Sequence, residues 1–501
     1  MPRELPQCLQ PDKAADIWNE PLDWRDLATR LETEGVTDGV ARERFGFAHT
    51  AAMAQAWLPR VLEHSDKPRA SEPPKEGWRE YLKGISFALP LLVSSATILL
   101  FGFALWGGDL SIEEATAVGL GTIASFLLTG GFVQVMARRG LFFSATKQHR
   151  RCRESTWWWV RAGSGAMLIG VVALLATSAY WGWLPLSLNL LAAAFCLVLG
   201  FFWIATGVLH YLNGGWVILG VTAGGIAIVG FLRAVLGAPL LLAQFTAIAV
   251  AGAAAAAEGY RRLLKMQERS KAKTPPISAR DALFLWPYFL YGAFYYGLLF
   301  ADRMIAWTAH TEAASLAVQF RGDYESAINL GLLAFILQVG WVEYSVALFY
   351  RELTKAEHAW KVTEIDSLRG AMEKFYWRRI ARFVPVAVAA SAVPIVVGVK
   401  FAGGAPAWVT WWSLAAYPLL IVGLWNCSLL FGLARAPKAA AAAFWATAAD
   451  LLAGYLSSRL GTHDHAIAGF AVGALVFACL SGSWARSALR RVDHAYYAAS
   501  Q

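Results

Sequence analysis

Charge is scarce in this 501-residue chain: Asp, Glu, Lys and Arg make up 16% of it, where a soluble domain usually carries about 25%. Cysteine is scarce too. Cys8, Cys152, Cys196, Cys427 and Cys479 are scattered without CxxC or Cys/His spacing, so neither a disulfide framework nor a cysteine–histidine metal site is expected. No GxxxxGK[ST] stretch occurs, which removes the phosphate-binding loop of an ATPase. HExxH and GxSxG are missing as well, and no cofactor or metal is predicted. The first apolar run begins only near Ser86, so no secretory leader is expected.

What the chain has in abundance is apolar sequence, at 57% hydrophobic residues and a mean hydropathy of +0.45. From residue 86 onward, apolar runs of about 20 residues recur, each long enough to cross about 30 Å of hydrocarbon as a helix. Backbone in lipid must satisfy its own hydrogen bonds, so these runs read as helices. The expected spans are 86–107, 113–137, 160–180, 185–210, 214–233, 238–258, 283–307, 325–350, 383–402, 408–432, 438–458 and 464–485. The fold class is therefore an all-α membrane protein of about twelve transmembrane helices in two six-helix lobes, with a small helical N-terminal domain. The expected divisions are a soluble domain and linker over 1–82, a first lobe over 83–258, a basic linker over 259–282, and a second lobe with its tail over 283–501.

Within the N-terminal part, Trp24 to Glu34 reads as an amphipathic helix stopped by Gly35, with Thr37 or Asp38 as the next N-cap and a third helix over Thr50 to Glu63. Lys and Arg resist translocation. They crowd the connections 138–161, 259–282 and 351–382 and the tail, while the opposite side shows only Arg233, Arg321, Lys400 and Arg459. That asymmetry predicts an inner-membrane protein with both termini cytoplasmic. It also assigns most of the net charge of +9 to topology rather than to nucleic-acid binding. Long basic connections after the second and eighth spans predict two related bundles.

Charge inside a span is costly, so each such residue is a candidate for function. Asp302 and Arg303 sit in the outer third of the seventh span. Adjacent helical residues point about 100° apart, so one is expected to pair with a neighbouring span while the other snorkels outward. Glu343 lies in the eighth span, where Asn329, Ile336, Glu343 and Tyr350 recur every seven residues along one stripe. Packing of a buried Glu343 is the alternative to a transport role. Asp450, in the eleventh span, is a third candidate for coupling. Phe294, Tyr295 and Tyr296 offer rings that suit sugars and drug-like cations alike. Asp109, Glu113 and Glu114, in the first outer loop, hold open the alternative of a membrane glycosyltransferase.

The stretch YGAFYYGLLFADRMIAW resembles the tyrosine-rich helix and following ADK-x-I-x-W sequence of PelG-type exopolysaccharide exporters. Ala301, Asp302, Arg303, Ile305 and Trp307 match, with Arg in place of Lys. VEYSVALFYREL, with Glu343, Phe349 and Tyr350, and the following SLRGAMEKFYWRR are similar to the same family. The resemblance is clearest over 283–382, and residues 1–82 replace the family's usual short N-terminus. It implies membership of the multidrug/oligosaccharidyl-lipid/polysaccharide (MOP) flippase superfamily, with twelve spans in two lobes and no enzyme activity.

The expected function is export or flipping of a polysaccharide or lipid-linked glycan by alternating access. The alternatives are a multidrug or small-molecule antiporter on the same scaffold, a membrane glycosyltransferase, and a scaffold that holds a synthase at the membrane. The expected partners are the glycan, membrane lipids, and a cytosolic glycosyltransferase with other synthase subunits recruited by residues 1–82. Nucleic acid is not expected among them.

Overall fold

The computed structural model describes residues 23–33, 36–64, 77–145, 148–267, 284–309, 316–359, 365–401 and 406–491. Three short helices come first: α1 (Trp24–Thr33), α2 (Asp38–Phe45) and α3 (Thr50–His64). Helices of this length are marginal alone. They fold together around Leu27, Leu31, Val36, Phe45, Met53 and Val61, with Phe47 and Trp57 packed against that core. Asp23 opens α1, accepting the backbone N–H of Arg25 and of Asp26 at 2.9 Å each. Thr37 holds the N-cap position of α2 without a side-chain hydrogen bond. Asp38 instead reaches across to α3 and accepts the Thr50 N–H at 2.8 Å. The Gly35 stop and residues 65–76 of the expected linker 65–77 lie outside the described residues, and Gly77 begins the next helix.

The larger unit holds α4 (Gly77–Phe101), α5 (Ile112–Ala145), α6 (His149–Trp181), α7 (Leu186–Tyr211), α8 (Gly215–Ala234) and α9 (Leu240–Gln267). It continues with α10 (Trp286–Trp307), α11 (Gly322–Ala359), α12 (Ile365–Phe401), α13 (Ala407–Gly432), α14 (Ala436–Leu460) and α15 (Ile467–Leu489). Among the described residues, ten of these are long and apolar enough to cross a membrane. The other two are α4, whose described apolar stretch is short, and α10, where Tyr288, Tyr291, Tyr295 and Tyr296 join Asp302 and Arg303 in lowering the hydropathy.

Several boundaries differ from expectation. The first expected span runs to 107, but α4 stops at Phe101, and Gly102, in the left-handed region at φ 71°, leads into a hairpin of β1 (Phe103–Ala104) and β2 (Gly107–Gly108). The long basic connections are mostly helix: α5 and α6 leave only 146–148 between them, and α11 and α12 leave only 360–364. Lys, Arg and Glu are good helix formers. Pairs one turn apart, such as Arg150 with Glu154 at 2.9 Å, support such extensions beyond an apolar run.

Helices α4–α9 form the first lobe and α10–α15 the second. In each lobe the fourth and sixth helices pack together, as do the fifth and sixth, which makes the bundles partial copies. Helix α5 of the first lobe lies along α10 of the second. A Cβ on Gly292 would stand 2.5 Å from the Gly130 carbonyl oxygen, so this approach requires glycine. A second crossing joins α4 to α11, where the Tyr81 hydroxyl donates to the Leu337 carbonyl at 2.5 Å. There a Cβ on Gly84 would meet the Gly340 Cα at 2.8 Å.

Candidate functional site: a buried ionic cluster in the second lobe

Helix α10 delivers Asp302 and Arg303 side by side, and the start of α11 delivers Tyr324 and Glu325 side by side opposite them. The two pairs engage in register. Tyr324 donates its hydroxyl to Asp302 Oδ2 at 2.6 Å, and Arg303 forms an ion pair with Glu325. Trp307, one turn beyond Arg303, donates its indole N–H to Glu325 Oε1 at 3.1 Å. The second guanidinium nitrogen of Arg303 reaches Asn329 Oδ1 at 3.4 Å. Arg303 also stands 5.8 Å over the Phe300 ring, and the Tyr417 hydroxyl of α13 faces it. The expected outward snorkelling of one member of the pair does not occur: Asp302 is 0% and Arg303 8% exposed. Each finds a partner on α11, and that removes the need to reach water.

Asp450 enters from α14. It is fully buried, and among the described residues neither of its carboxylate oxygens has a hydrogen-bond partner; Oδ1 of Asp302 has none either. Asp302 and Asp450 interact electrostatically. Helix α15 seals the Asp450 side with small residues, since a Cβ on Gly469 would lie 2.6 Å from Asp450 Oδ1. The cluster therefore counts three carboxyl groups, Asp302, Glu325 and Asp450, against one guanidinium, away from water. With all of them ionised, two negative charges would stand uncompensated, and a buried uncompensated charge is strongly unfavourable. Protonation of a carboxyl group or a small bound cation would relieve that imbalance.

Of the sequence candidates, Asp302, Arg303, Asn329 and Asp450 are thus brought together. Glu343 and Tyr350 are not. Glu343 lies about 21 Å along α11 from Asn329, at 1.5 Å per residue. It is exposed rather than buried, and its neighbour across the lobes is Gly84. Tyr350 sits against Gly432, and Ile336, which interrupts the polar stripe, is buried. Tyr295 stacks 6.0 Å from Tyr291. Tyr295 also meets Tyr296 edge to face at 5.5 Å, joining a row of rings that crosses from the first lobe to the cluster. Trp203 stacks on Phe126 at 4.4 Å, and Phe126 stacks on Tyr296 at 5.0 Å and on Phe300 at 5.4 Å.

Sequence reading missed Tyr324 and Glu325. Glu325 is the first residue of the expected eighth span, where an acid looks like a boundary residue. Only the matching spacing of the 302–303 and 324–325 pairs hints at their union. Two of the acids between α4 and α5 lie in local backbone structure. Asp109 closes the β-hairpin, its N–H donating to the Gly102 carbonyl at 2.9 Å. Glu114 forms a capping box with Ser111 at the start of α5, with bonds of 3.0 and 3.2 Å. A further cluster joins α11 to the turn before α15: the His463 Nε2 lies 3.2 Å from Asp323 Oδ2 and 3.3 Å from Asp464 Oδ1. These three could ligate a metal, and their separation in sequence hides them from any spacing motif.

No protein-family profile and no curated protein matches the chain. Among solved structures it is similar to the outward-facing conformation of a multidrug resistance MATE family transporter of the MOP superfamily. That match has 14% identity and a TM-score of 0.57, over 83% of this chain and 97% of the other. It is also similar to an inward-facing conformation of such a transporter, at 14% identity and a TM-score of 0.55, over 82% of this chain and 99% of the other. A MATE protein in the straight conformation matches at 14% identity and a TM-score of 0.55, over 83% and 96%. The two-lobed helical fold of this chain is thus the fold of MATE transporters of the MOP superfamily.

Proposed function

We propose that the chain is a membrane exporter or flippase of the bacterial inner membrane, with both termini cytoplasmic, that moves a polysaccharide or lipid-linked glycan by alternating access of its two lobes. The observation that carries the transport reading is the unpartnered, fully buried Asp450 carboxylate beside the Asp302–Arg303–Glu325 group. Such a site, in a fold whose similar structures include both inward- and outward-facing conformations, can tie lobe movement to the binding of a proton or cation. The glycan reading is supported by the PelG-type resemblance over 283–382 and by the aromatic row, since sugars stack on rings. The Glu114 carboxylate serves a helix cap, which counts against its use in the glycosyltransferase reading. A multidrug antiporter is the second reading, favoured by the fold shared with multidrug MATE transporters.

The test compares wild type with Asp450→Asn in proteoliposomes and in cells. Asn matches the volume of Asp and cannot be charged. The expected outcome is normal membrane abundance with export reduced about tenfold or more and no substrate-driven proton or cation flux. Wild-type flux and export by Asp450→Asn would overturn the coupling role. Secretion of glycan, as against efflux of lipophilic cations, from cells carrying the wild-type chain separates the two substrate readings.

A further inference from the structure

At the basic end of the second lobe, away from the buried cluster, Arg369, Arg435, Arg490 and Arg491 line a cavity of about 380 Å³. They come from three places: the first turns of α12, the turn between α13 and α14, and the end of α15. Topology calls for basic residues at this end, but it does not call for their convergence. Elsewhere at the same end, some arginines are matched by acids on their own helix. Glu258 receives Arg261 at 2.6 Å and Arg262 at 2.8 Å, and Arg150 has Glu154. Around the cavity one carboxylate, Glu373, is shared by Arg490 at 2.8 Å and Arg486 at 3.2 Å. Among the described residues Arg435 and Arg491 form no ion pair, and no acid lines the cavity.

We propose that this cavity is a binding site for a phosphate-bearing anion of about diphosphate size. Like charges around one cavity repel each other, and an anion between them removes that repulsion. Guanidinium forks match phosphate oxygens bidentately, and several forks from different elements surround a diphosphate better than they do a monovalent ion. The volume falls in the usual range for small-ligand sites, roughly 300–1,000 Å³. The chemistry is shared by a soluble diphosphate and by the headgroup of an anionic phospholipid. A site here would tie the second lobe to cytosolic substrate or to the lipid leaflet, independently of the coupling site around Asp450.

The full chain in phosphatidylcholine nanodiscs is titrated with inorganic pyrophosphate by microscale thermophoresis. In parallel, native mass spectrometry counts phosphatidylglycerol retained from mixed nanodiscs. Wild type is compared with Arg435→Gln/Arg491→Gln and with Arg491→Gln alone, an exposed position where folding is not at stake. Binding of either probe, weakened tenfold or more in the double variant and partly in the single, is the expected result. Pyrophosphate binding identifies a soluble ligand, and phosphatidylglycerol retention alone identifies the lipid. Wild type binding neither probe, or variants binding both as well as wild type, overturns the proposal.

Discussion

Asp302 and Arg303 are neighbours in sequence, yet each is satisfied by a different residue of α11, and this decides what breaking the cluster costs. Arg303→Met leaves Glu325 with two further carboxyl groups and no cation, and removing one partner of a buried pair costs about 3–5 kcal/mol. Glu325→Met leaves Arg303 near Asp302 and Asn329 and is expected to cost less. The double variant replaces a buried pair by two apolar side chains, which is often nearly neutral. The expected outcome is strong non-additivity in thermal unfolding of the detergent-purified protein, with the double variant more stable than Arg303→Met. Equal or greater loss in the double variant would show that the two charges do not act as a unit. The charges at 302, 303 and 450 were legible in the sequence because each interrupts an apolar run. Their partners were not, because Tyr324 and Glu325 stand at a run's edge, where polar residues draw no notice.

Whole elements were legible wherever hydropathy marks them, and their ends were not. Hydropathy reports how much of a helix suits lipid, whereas helix ends follow hydrogen bonding and caps; hence α11 continues to Ala359 and α12 begins at Ile365, well outside the expected spans. The N-terminal helices show the same limit in reverse. Thr37 or Asp38 was expected as the N-cap of α2; Thr37 holds that position and Asp38, the first helical residue, turns its carboxylate to α3. The Thr50 backbone N–H holds that carboxyl below the usual value of 3.8. A carboxyl lowered by folding stabilises the folded state above its unfolded pKa, and that support disappears as pH falls through the folded value. The cap should therefore fail below about pH 4, near the unfolded Asp value. Hydrogen exchange on the full chain should show amides at the start of α3 losing protection in that window, relative to those at the middle of α1. Asp38→Asn should remove most of this pH dependence, since Asn still caps but does not titrate. A pH profile unchanged by Asp38→Asn would place the titrating group elsewhere.

At the scale of the whole molecule, the two lobes follow from counting apolar runs, and the repeated packing of the fourth, fifth and sixth helices supports that count. What counting could not show is where the lobes meet. The crossings of α5 with α10 and of α4 with α11 rest on glycines, and glycine carries no pattern in an apolar run. Orientation is a separate matter, argued from charge alone. Helix ends holding Arg138, Arg139, Arg369, Arg378, Arg490 and Arg491 fall on one side, and the acid-bearing start of α5, with Glu113 and Glu114, falls on the other. Because lysine and arginine resist translocation, the basic ends should face the cytoplasm. Cysteines introduced singly at Glu113 and at Gly370, in a chain lacking its own five cysteines, read this out. Both positions are exposed, and Gly370 has open space around it, so neither change should disturb packing. In intact cells a membrane-impermeant maleimide should label Glu113→Cys and spare Gly370→Cys until the membrane is opened. Labelling of both from the outside would end the two-lobe assignment of sides, and labelling of Gly370→Cys alone would invert it, placing the arginine-lined cavity on the outer face.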